Sequence, residues 1–171
     1  MKQHLILLGF LVFLSSCSEK KNIFKLKPLL IDQLKYSHTE ENWFVPTKIA
    51  INGLNAEQSN WKDSTENHSI AELVSHLTFW NEAFLKDING EDLSDFDMEN
   101  ELTFKIYSEK EWKSAVSKLD SIQTEFERIT EKANEEQLSE LAPDILTMTA
   151  HNAYHTGQII YIRKRKGWWN K

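Results

Sequence analysis

Between Trp112 and Ala133 the buried-type residues recur as Trp112, Val116, Leu119, Ile122, Phe126, Ile129 and Ala133, with charged residues on the remaining positions. Steps of three and four over that length trace one face of an α-helix, and a strand, whose side chains alternate every two residues, cannot present them. A long helix with a single apolar stripe is stable only when other elements cover the stripe, so this segment commits the chain to packed helices. Ser108 and Glu111 stand before it in the order of a capping box, where each side chain satisfies a free backbone N–H of the first turn.

The same period recurs elsewhere. Leu26, Leu29, Leu30, Gln33, Leu34 and Ser37 put a stripe on a first helix that weakens around Glu40 to Asn42. Pro46 permits a kink or a fresh start, Ile49 to Leu54 continues briefly, and 55–67 is polar and irregular with Trp61 as its anchor. A second helix opens with a capping box, Ser69 and Glu72, carries Ile70, Leu73, Leu77, Trp80 and Phe84 on one line, and ends at Asn89-Gly90. The acidic segment from Glu91 to Glu101 lacks the ligand order of a calcium loop and reads as a solvated connection. A short helical piece around Glu135 to Leu141 leads to Pro143. A fourth helix is then expected from about Asp144 to Lys166, with Arg163 to Lys166 where the helix dipole favours cations and Gly167 closing it. The expected fold class is all-α, a four-helix bundle.

The first residues follow a different logic. Met1-Lys2 precede an apolar run of ten residues, Leu5 to Leu14, too short for the roughly 20 that cross a bilayer. Leu14-Ser15-Ser16-Cys17 follows, and the chain turns polar at once. This is the pattern of a secretory signal with small residues before the cut, and it resembles the bacterial lipobox, whose cysteine is acylated. The expected organisation is a signal peptide over 1–16, a lipidated tether over 17–24 beginning at Cys17, and one domain over 25–171. The protein is then expected in the bacterial cell envelope, held to the membrane by its N-terminal lipid. Cys17 is the single cysteine, so disulfides are excluded.

Loss of the signal, and Lys2 with it, leaves 19 basic against 26 acidic side chains, a formal charge of −7. Phosphate backbones need clustered Lys and Arg, so nucleic acid is not an expected partner. The four cations at the end of the last helix are accounted for by its dipole. A small-molecule substrate is the better expectation.

His151 and His155 share one face of the fourth helix, with Cβ atoms about 6 Å apart, on a stripe with Met148, Ile159 and Ile162. His76 lies on the apolar side of the second helix, between Leu73 and Trp80. Three imidazoles in an apolar interior must each find partners or bear a desolvation cost of a few kcal/mol. They are either hydrogen-bonded structural residues or ligands of one metal ion. The di-iron Glu-x-x-His spacing is missing, since Leu73, Met148 and Asn152 occupy its slots, and His151-Asn152 departs from the zincin His-Glu-x-x-His. What remains for a metal is a mononuclear tri-histidine site, for which zinc and nickel are the first expectations among ions that imidazole suits. His38 and His68 fall off these stripes and read as structural or surface residues.

The stretches His-Ser-Ile-Ala-Glu-Leu-Val-Ser-His-Leu-Thr-Phe-Trp (68–80) and His-Asn-Ala-Tyr-His-Thr-Gly-Gln-Ile (151–159) resemble the DinB-like family. Gly53-Leu54, Trp61 and the Asn-Gly after the second helix fit as well, so the resemblance covers roughly residues 25–167. It implies a four-helix bundle whose metal is held by His76, His151 and His155, and often a homodimer. Relatives include bacillithiol S-transferases, mycothiol-dependent isomerases and metal-dependent hydrolases. The chemistry implied is that a low-molecular-weight thiol binds the metal, loses its proton and attacks an electrophile, with water in its place in a hydrolase. Gln158 and Asn152 flank the ligands and are expected to orient them or the substrate. Glu72 is the nearest carboxylate to serve as a base, but its capping role comes first. A non-catalytic metal- or ligand-binding lipoprotein is the alternative reading.

Overall fold

The computed structural model describes residues 25–94 and 99–169. The expected signal peptide over 1–16, the lipidation of Cys17 and the tether over 17–24 lie outside the described residues. Within them the chain forms α1 (Leu26–His38), α2 (Thr47–Ile51), α3 (Ala56–Asn60), α4 (Ile70–Ile88), α5 (Glu109–Lys132) and α6 (Glu135–Arg165), with a 3-10 turn at Asn100–Thr103 before α5. No strand occurs among the described residues, and none of their helices is long and apolar enough to cross a membrane. The four long helices build the bundle: α1 and α4 each pack against both α5 and α6.

The capping boxes read from the sequence at Ser69/Glu72 and Ser108/Glu111 are both formed, and they open α4 and α5. Two more are present that the apolar pattern did not reveal. Asn55 and Gln58 cap α3, a helix inside the segment expected to be irregular. Asn134 and Gln137 cap α6, which runs unbroken through Pro143 instead of starting after it. The start signal at Asn134 lies nine residues before the proline. Proline removes the bond to the carbonyl four residues back, here Ser139, which sits on the exposed side where water can replace it.

Two apolar clusters make the core. One gathers Ile70, Leu73, Leu77, Trp112, Leu119 and Ile159 with the short helices, and the other Leu30, Leu34, Ile122, Phe126, Leu138 and Ile145. Polar side chains lie where they meet. Asn81 of α4 and Asn152 of α6, both buried, exchange two amide bonds at 2.8 and 3.0 Å. Thr47 of α2 bonds Thr156 of α6 at 2.8 Å. His38 is buried at the end of α1, its ring nitrogens reaching Glu127 and Asp120 of α5 at 2.8 Å each, and Asp120 also takes Lys48.

Three of the four cations at the end of α6 are engaged locally. The Arg163 guanidinium donates to the carbonyls of Ala50, Asn52 and Trp168, Arg165 pairs with Asp63, and Lys166 lies over the rings of Trp61 and Trp168.

Candidate metal centre

The α4 and α6 stripes face each other at mid-bundle and bring His76, His151 and His155 together. The His151 Nε2 atom lies 3.2 Å from that of His76 and 3.1 Å from that of His155, and one ligand atom from each ring falls within 4.8 Å of the others. Ligands about 2.0–2.1 Å from one ion sit a little over 3 Å apart in tetrahedral coordination, so these separations fit a shared metal. His76 is buried, and the other two rings are partly exposed.

The far nitrogens decide which tautomer each ring presents. Thr103 Oγ1 donates to the Asn100 carbonyl at 2.7 Å, so toward His76 Nδ1, also at 2.7 Å, it must accept. His76 therefore carries its proton on Nδ1 and leaves the Nε2 lone pair free. Gln158 Oε1, an acceptor only, takes the Nδ1–H of His155 at 2.6 Å with the same result. Two lone pairs thus face the third ring with at most one proton to share among them. Protons do not relieve this, because burial, reinforced by His155, His151 and His68, lowers His76 to about 4. Burial and His155 lower His151 to about 4, and burial lowers His155, partly opposed by Gln158. Converging neutral donors that resist protonation are what a divalent cation requires.

Gln158 thus stands behind the His155 ring, while Asn152 turns to Asn81 and braces α6 against α4. Glu72 is held in its capping box, accepting from the Ser69 N–H at 2.7 Å, and its other oxygen takes Lys62 at 3.1 Å. Burial pushes its carboxyl up, but Ser69, Lys62 and His68 outweigh that and hold it below the usual range.

Thr103 and Phe104 are functional neighbours that no sequence period announced. They belong to the connection before α5, and Phe104 stacks on His76 with ring centroids 4.5 Å apart and planes 2° apart. His68, expected to be structural or surface, stacks on Phe104 at 3.6 Å.

Two cavities lie near the centre. A cavity of about 350 Å³ is lined by His76 and His151 with Trp80, Asn100, Thr147 and Met148. A second, of about 440 Å³, is lined by His68, Gln158, Trp61, Tyr154 and Tyr161 among others, and by none of His76, His151 and His155. Volumes of this order suit small organic molecules.

A family model described as the DinB superfamily matches residues 47–159, a span that includes all three histidines. No curated protein and no solved structure matches the chain.

Proposed function

The chain belongs to the DinB superfamily, and from that premise we propose that it is a metal-dependent enzyme that activates a small nucleophile at His76, His151 and His155. A low-molecular-weight thiol is the first candidate nucleophile and water the second, which makes the protein a thiol S-transferase or a hydrolase acting on a small-molecule substrate. The observation that carries this reading is the convergence of three Nε2 atoms, two of which, on His76 and His155, have their tautomers set from behind by Thr103 and Gln158.

A divalent ion, zinc or nickel first, would supply the positive charge that lowers the pKa of a thiol or of water at neutral pH. The chain's own residues do the rest. Thr103 and Gln158 keep both Nδ1 protons in place, so the ligand rings stay neutral and properly turned. Three protein ligands would leave coordination positions for a reactant; the 350 Å³ cavity opens on His76 and His151, and the 440 Å³ cavity borders Gln158 behind His155. The apolar stripe around the histidines limits competing solvent.

The same proposal places the enzyme in the cell envelope, with Cys17 as its lipid attachment point. Its support is the Leu-Ser-Ser-Cys sequence after an apolar run. Cys17→Ala is expected to move the protein from the membrane to the soluble fraction, and an unchanged distribution refutes the anchor.

The test of the centre is elemental analysis of the full chain, purified without a metal-binding tag, beside the His76→Ala, His151→Ala, His155→Ala triple variant. About one metal per chain, absent from the variant, with turnover of a thiol and an electrophile or of an activated ester, supports the proposal. A folded wild-type chain that takes up neither zinc nor nickel refutes it. Stoichiometric metal without turnover favours a binding module.

A further inference from the structure

His68 precedes the capping residue of α4, off the stripe that carries His76, yet the fold seats it one phenyl ring away from His76. Its ring lies parallel to Phe104 at 3.6 Å and 4°, and Phe104 lies parallel to His76 at 4.5 Å and 2°. Two imidazoles cannot share one face of a phenyl ring at those separations, so Phe104 is sandwiched between His68 and His76. His68 Nδ1 is buried without a hydrogen-bond partner and lies 3.7 Å from Glu72 Oε2. Its side chain is 34% exposed, and since Nδ1 is covered, that exposure belongs to the rest of the ring, on the wall of the 440 Å³ cavity. Gln158, the residue that holds His155, lines the same cavity.

We infer that His68 is a further catalytic residue, the group that takes up the proton released by the nucleophile, and that Glu72 positions it. The inference rests on the activity proposed above. Glu72 is already anchored by Ser69 and Lys62, and its carboxylate favours the His68 tautomer with hydrogen on Nδ1. Nε2 is then the basic atom. In thiol transfer the S–H bond breaks, the proton passes to His68 Nε2, and the sulfur lone pair forms the bond to the electrophilic carbon. The leaving group departs with its bonding pair, and His68 returns the proton to it or to solvent. With water as nucleophile an O–H bond breaks in the same sense, and neither route needs an oxidant or reductant.

The charged and titratable groups around His68 are Glu72 with its partner Lys62, the cavity residues Asp63, Glu66 and Arg165, and His76 and His155 across the stack. None but Glu72 is within ion-pair distance of it. A purely structural His68 would serve only as the outer layer of the stack, a role phenylalanine can also fill.

The experiment compares wild type, His68→Phe and His68→Gln as full, metal-loaded chains. The probes are cysteine with 1-chloro-2,4-dinitrobenzene, and 4-nitrophenyl acetate for the water route. Both variants are expected to keep wild-type metal content and helical circular dichroism while losing about 100-fold or more in rate at pH 7. In the thiol reaction the deficit should shrink above the thiol's own pKa, about 8.5, where solvent has already removed the proton. A His68→Phe rate within twofold of wild type overturns the inference, as does a deficit that is constant with pH. Loss of metal from both variants also overturns it, by making His68 a support of the centre. A metal-loaded wild type that turns over neither probe removes the proposed activity and this role with it. An active wild type matched by His68→Phe removes this role alone.

Discussion

At the scale of the residue, the centre is a problem of proton placement. His76 and His151 are held at about 4 and His155 is lowered too, each first by burial, against an ordinary value of about 6.5. Between those values the unfolded chain binds more protons than the folded one, so this contribution to stability rises with pH over that window. Acidifying the metal-free protein from pH 7 to 4.5 is therefore expected to lower its urea midpoint, and the triple alanine variant should lose much of that dependence. Parallel pH profiles for the two proteins would contradict the assignment. The convergence of His76, His151 and His155 was legible in the sequence, because spacings of three and four place them on facing stripes. Thr103, Phe104 and the closeness of His68 were not, since a connecting segment has no period from which to project its side chains. The roles of Gln158 and Asn152 divide for a similar reason: both flank the ligands in sequence, but six positions on a helix turn their side chains to different neighbours.

At the scale of the element, boundaries are set by caps more than by proline. Pro143 looked like a start, yet the Asn134/Gln137 box nucleates α6 earlier and the helix absorbs the proline on its exposed side. The stagger of α6 on α4 is fixed at Asn81 and Asn152, one of which adjoins His151 in sequence. Asn81 also donates to the Leu77 carbonyl at 2.7 Å. Asn81→Leu strands the buried Asn152 amide and is expected to cost about 1–3 kcal/mol in denaturant unfolding. Asn81→Leu with Asn152→Leu should recover much of that loss, because both partners are then apolar. If the double variant is as unstable as the sum of the singles, the pair contributes by some means other than mutual satisfaction. The four long helices were visible as apolar stripes; α3, five residues long, was too short to show one.

At the scale of the whole molecule, the proposed metal would be coupled to the fold. An ion that binds only the folded chain, present at about 1,000 times its dissociation constant, adds roughly 4 kcal/mol. For a domain of this size each kcal/mol raises Tm by about 2–4 °C. Zinc or nickel should therefore raise the wild-type Tm by roughly 10 °C and leave the triple variant unmoved, as calorimetry of both would register. The two ring anchors, however, belong to different parts of the structure. Gln158 rides on α6 and persists as long as the bundle does, whereas Thr103 sits on a single 3-10 turn between α4 and α5. Opening that turn breaks the Thr103 bonds to His76 and Ser75 while leaving the four long helices in place, and it frees the His76 ring to rotate. Ageing or mild heating would then exhaust the preparation in a fixed order, with the ion escaping from chains that still look fully helical, so that shelf life and melting temperature become separate properties of the same molecule.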